Sequence, residues 1–156
     1  MNDWSAVYLR DSIGVSPEIT TLGYAGCALS MMIFRFSGDA LIPKYGPKKL
    51  LFVGGIVSFL GLLLTALVPI PIAVIAGFTL VGAGIAMGVP MLINLAAKVK
   101  GLSDGAAVGT FTAFAFAGFV IEPPLVGYIA DVIDLKMGLL FIGVCSLLGG
   151  ILALRL

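Results

Sequence analysis

Histidine is absent from this 156-residue chain, which removes the commonest metal ligand and the side chain best suited to general base work near neutrality. Charge is nearly as scarce. Nine Lys and Arg stand against eight Asp and Glu, 11% of residues together, with a net charge of +1. No strong field is left to hold nucleic acid or an acidic partner. Cys27 and Cys145 lie in separate apolar runs without metal-ligand spacing, and read as two buried, unpaired thiols. No His-Glu-x-x-His pattern, Ser/His or Cys/His combination, or pair of acids inside an apolar run occurs. The reading is therefore not an enzyme, with no metal and no cofactor. A secretory leader is not expected either, because Asp3 stands where a positive segment is needed and no long apolar core follows before Asp11.

What the chain has is apolar surface. Sixty per cent of residues are hydrophobic, against roughly 45–50% in soluble domains, which also carry about 25% charge. Too few polar residues remain to cover a core in water, and a lipid-facing exterior removes that conflict. The class is all-α polytopic membrane protein. Leu50 to Ala97 contains no charged residue; as one helix it would be about 70 Å long, more than twice the bilayer core. Pro69-Ile70-Pro71 near its middle predicts a hairpin turn. Five full spans are expected, at about 17–42, 47–68, 71–98, 106–129 and 137–155. Ser16-Pro17-Glu18 opens the first, Ser103 or Asp104 caps the fourth, and Glu122-Pro123-Pro124 interrupts it. Ahead of these spans, Asn2 to Leu9 is too short to cross and reads as the last turns of a helix whose start is absent. Trp4 and Tyr8 suit headgroup depth.

Basic residues alternate in sides. Lys44, Lys48 and Lys49, then Lys98 and Lys100, then Arg155 fall together, opposite Arg10 and a Lys136 balanced by Asp131 and Asp134. The positive-inside rule puts the lysine loops and the C-terminus in the cytoplasm.

The densest charge runs from Arg35 to Lys49. Arg35 and Asp39 are four apart on one helix face, close enough to pair. From there the chain reads Gly38-Asp39-x-Leu41-x-x-Lys44-x-Gly46-x-Lys48-Lys49. This resembles the loop signature of the major facilitator superfamily, roughly G-x-L-x-D-R-x-G-R-R, found between its second and third helices and, degraded, between its eighth and ninth. Pro43 occupies the aspartate position and Asp39 that of the first glycine, so the degraded copy matches better. The opening stretch from Asp3 to Asp11 resembles the end of the seventh helix in a bacterial, sugar-permease-related branch. Ala117 to Asp131 is similar to that branch's eleventh helix, with Glu122 where glycine is usual.

The resemblance implies the C-terminal half of a twelve-helix secondary transporter of the bacterial inner membrane, proton-coupled and lacking its N-terminal six-helix half. Arg35, Gly38, Asp39, Lys44, Gly46, Lys48 and Lys49 then form a gating loop. By half-to-half symmetry, Asp39 would face a helix N-terminus of the absent half, an arrangement that contributes about 0.3–1 kcal/mol when exposed and up to ~2 when partly buried. Its partners would be a small-molecule substrate, bilayer lipid and that half. Glu122 is a proton-coupling site or a residue reaching interfacial water near its helix end; Asp3 is equally ambiguous. Asn94 lines a pathway or bonds a neighbouring helix. Gly84, Gly88, Pro90, Pro123 and Pro124 are candidates for helix packing or flexing. The alternative from another class is a free-standing membrane scaffold or regulatory subunit. Alone, the chain is expected not to transport.

Overall fold

The computed structural model describes residues 2–99, 101 and 103–155, except the side chains of Asn2, Asp3 and Asp39. It is helical throughout: α1 (Asn2–Val7), a π-helical turn (Tyr8–Ile13), α2 (Pro17–Phe36), α3 (Gly38–Tyr45), α4 (Pro47–Leu67), α5 (Pro71–Ile85), α6 (Gly88–Ala96), α7 (Asp104–Val132) and α8 (Leu135–Ala153). Among the described residues, five helical stretches are long and apolar enough to cross a membrane, with α5 and α6 forming one of them. The all-α polytopic expectation holds.

Local chemistry explains most boundaries. Prolines sit in the first turns of α2, α4 and α5, where a missing amide costs nothing. Ser103 caps α7 by accepting the Ala106 amide at 3.3 Å, and Asp134 caps α8 through Lys136 at the same distance. Ser16 precedes α2, but its hydroxyl donates to the Glu18 carboxylate at 3.1 Å rather than accepting a backbone amide.

Three boundaries differ from the sequence reading. The span opened by Pro17 bends at Ser37, whose Oγ donates back to the Ile33 carbonyl at 3.0 Å, a bond that bends helices; α3 then continues to Tyr45. The span expected from Pro71 to Lys98 breaks at Ala86–Met87. Pro90 cannot supply the amide that the Ala86 carbonyl needs, and Gly84 and Gly88 flank the break with poor helix formers. Pro123 and Pro124, by contrast, do not interrupt α7. Each removes one amide, leaving the carbonyls of Phe119 and Val120 without their helical donors. The long helical arm ahead of the pair still holds the geometry, as spanning helices commonly allow.

The core forms where α4 meets α5 and α8, and where α5 meets α2. Small residues let these backbones touch. A Cβ at Gly77 would lie 2.5 Å from the Gly61 carbonyl and against Thr65 Oγ1, while one at Gly84 would meet Ser58 Oγ and the Gly54 carbonyl. Such contacts hold spanning helices together where lipid supplies no hydrophobic drive. Tyr8 is wholly buried and donates to the Thr65 carbonyl at 3.3 Å, so packing rather than headgroup depth sets its place. Cys27 is buried as expected, but Cys145 lies on the exposed side of α8.

Candidate functional site

Sequence-selected residues converge where α2, α3 and α6 meet. Arg35 in the last turn of α2, Gly38 opening α3, and Pro90 and Asn94 from α6 line one cleft of about 430 Å³ together with Ile42, Met87, Val89 and Ile93. Gly38 is buried, and a Cβ there would touch Met87 Sδ at 3.4 Å. The Arg35 guanidinium donates through Nε to the Ala86 carbonyl at 3.1 Å. The acid expected to pair with it, Asp39, belongs to α3, but its side chain lies outside the described residues, as does that of Asp3.

The rest of the basic loop is spread along the same end. Lys44 lies 5.2 Å from the Tyr45 ring centroid, within the range of a cation–π contact. Gly46 joins α3 to α4 at φ 77°, ψ 155°, and its amide donates to the Ile42 carbonyl at 2.9 Å. That backbone region is essentially open to glycine alone. Lys48 and Lys49 are exposed in the first turn of α4, where the helix dipole disfavours a cation; they do not stabilise that helix. Lys100 lies outside the described residues.

Other candidates fall elsewhere. Glu122 is half-buried and lines a separate pocket of about 350 Å³ between α7 and α8, with Ile121, Phe141 and Cys145. Gly84 packs tightly on α4, whereas a Cβ on Gly88 would meet nothing within 4 Å, so these two glycines, four apart, do different work. At the far end of α2, Arg10 and Asp11 form an exposed two-pronged pair, with Nε–Oδ1 at 2.6 Å and Nη2–Oδ2 at 3.1 Å. Hydrogen bonding from Arg10 holds the Asp11 carboxyl below the usual range. Among the described residues, no group of three metal-ligating side chains comes together.

The residue missed by sequence reasoning is Ala86. A backbone acceptor has no side-chain signature, but Pro90 was a usable pointer, because a helical proline always strips the donor from the carbonyl four residues earlier.

An apolar bundle of five spans with a polar-edged cleft at its basic end defines a multi-pass membrane protein. The family model of the Major Facilitator Superfamily matches residues 4–156, and the chain belongs to that family of transporters. It is 30% identical over 151 residues to an uncharacterized transporter of Sinorhizobium fredii, covering 97% of this chain and 40% of the relative. An uncharacterized MFS-type transporter of Yersinia pestis is 34% identical over 137 residues, covering 88% and 36%. The membrane protein MosC of Rhizobium meliloti is 31% identical over 140 residues, covering 90% and 34%. The chain thus spans well under half the length of these curated relatives. No solved structure matches it.

Proposed function

We propose that this chain is the C-terminal half of a secondary transporter that moves a small solute by alternating access, working with an N-terminal six-helix half. The observation that carries the reading is the family match along nearly the whole chain, set against relatives of which it fills only 34–40%. The order of its motifs, from a helix-seven ending through the degraded loop signature to a helix-eleven exit, supports the C-terminal assignment and the sugar-permease-like branch. The gating loop is then Arg35, Gly38, Asp39, Lys44, Gly46, Lys48 and Lys49, facing the absent half on the cytoplasmic side of a bacterial inner membrane. Lys48 and Lys49 oppose their own helix dipole, which favours a role toward an anionic surface outside the chain. Glu122, the acid inside an apolar run, is the candidate proton carrier of this reading, with interfacial water as its alternative partner, and Asn94, which lines the cleft, is the candidate polar residue of the pathway.

Co-expression with the six N-terminal helices of the Rhizobium meliloti relative tests this. Co-purification of the two pieces is expected, with uptake from a panel of radiolabelled small sugars in proteoliposomes that hold both, and none with this chain alone. Failure of the pieces to associate would refute the two-half reading, and uptake by the chain alone would favour a self-contained protein.

A further inference from the structure

In an unbroken span the Ala86 carbonyl would accept the amide of residue 90, and Pro90 has none. Ala86 is fully buried, so that oxygen has no solvent to turn to, and an unmet acceptor there is costly. The Arg35 guanidinium fills the gap from another helix, with Nε 3.1 Å from the oxygen. We propose that Arg35 is a releasable latch, standing in for the amide that Pro90 lacks and thereby fixing the angle of α6 and the width of the cleft below it.

Three features place this bond at a pivot. The chain breaks at Ala86–Met87, beside the latched carbonyl. Above it α2 and α5 are pinned: Ser30 Oγ donates to the Thr79 carbonyl at 2.7 Å, and a Cβ on Gly82 would strike the Cys27 carbonyl. Below it α6 is only nine residues long, and Gly88 and Pro90 lie in its first turn. Releasing Arg35 therefore leaves α2 against α5 undisturbed and lets α6, which also rests on α4 and α7, change its angle; α6 carries Pro90, Ile93 and Asn94 on one wall of the cleft. The latch lies wholly within this chain and stands whether or not the transport reading does.

A double-mutant cycle tests it on the full chain in detergent micelles. Cys145 is replaced by Ser, and Ile93→Cys supplies a partly buried reporter for a polar maleimide. Arg35→Gln is expected to speed labelling about tenfold, the scale set by one charge-assisted hydrogen bond. In a Pro90→Ala background the amide of residue 90 can serve Ala86, so Arg35→Gln should then change the rate less than about twofold. Equal acceleration in both backgrounds overturns the latch, as does no acceleration in the first. Should Arg35→Gln alone fail to fold, recovery of folded protein on adding Pro90→Ala supports the proposal, and continued failure refutes it.

Discussion

Placing one methyl group on Gly77 tests whether close backbone approach holds the centre of this bundle. A Cβ there sits 2.5 Å from the Gly61 carbonyl and against Thr65 Oγ1, whereas ordinary contact begins at 3.4 Å. Neither obstacle can step aside easily. The carbonyl is backbone, and Thr65 Oγ1 is held by its own donation to the same oxygen at 3.0 Å. The helices α4 and α5 must therefore separate by most of an ångström. Overpacking of this kind costs typically about 1–3 kcal/mol, while alanine for glycine within a helix returns up to about 1 kcal/mol. Gly77→Ala should thus destabilise by about 1–2 kcal/mol, which lowers the folded-to-unfolded ratio roughly 5–30-fold. Gly118→Ala in α7 is the control, because nothing lies within 4 Å of its Cβ position; it should be neutral or stabilise by up to about 1 kcal/mol. Sodium dodecyl sulfate titration from mixed micelles, followed by far-ultraviolet circular dichroism, reads both midpoints. If the two variants shift in the same direction, the close-approach account of α4 and α5 is wrong.

Tyr8→Phe takes the donor from the buried Thr65 carbonyl, which Pro69 cannot supply, and should cost about 1–3 kcal/mol, whereas Tyr8→Ala also empties a wholly buried site and should cost about 3–5 kcal/mol; equal losses in the same titration would show that the ring does not anchor the N-terminal turn. Ser103→Ala deletes the cap on α7 and should cost about 1 kcal/mol, visible as faster hydrogen exchange at the Ala106 amide, and unchanged exchange would rule the cap out. Asp11 titrates below its ordinary value because Arg10 bonds its charged form. Its contribution is present above the unfolded-state pKa and is lost as pH falls through the lower folded-state value. Arg10→Gln should return the Asp11 titration, followed by NMR, to the ordinary carboxylate range; an unmoved titration would mean the pair does not persist in solution.

The class of fold was legible because it follows from composition: a chain this apolar and this poor in charge has no other surface to present than one facing lipid. Single prolines were less legible than their chemistry suggests. Pro69 and Pro71 turn the chain, Pro90 breaks a span, and Pro123 with Pro124 does neither. The difference lies in what flanks them. Gly84 and Gly88 bracket the break near Pro90, while α7 reaches its pair on one long helical arm that begins at Asp104. The cleft shows the same limit. Arg35, Gly38, Pro90 and Asn94 each stood out for a separate reason, but their meeting depends on how α2 packs along α5. That register is set by Gly26 against Thr79 and Gly82 against Cys27, contacts that small-residue content announces without pairing.

Small residues serve α4 and α7 differently. In α4, Gly54, Gly55 and Gly61 all face backbone at close range, which is how spanning helices cohere. In α7, Gly105, Gly109, Ala113 and Ala117 recur every four residues, all exposed, and nothing lies within 4 Å of a Cβ at either glycine. The same helix leaves Phe114 77% exposed and Tyr128 68%. Large apolar side chains need no cover in lipid, so their exposure alone says little. Small residues are different: toward lipid they gain nothing over leucine, and they open the backbone to an approach that no described helix of this chain makes. The small-residue pattern is thus satisfied within the chain in α4 and left open along α7.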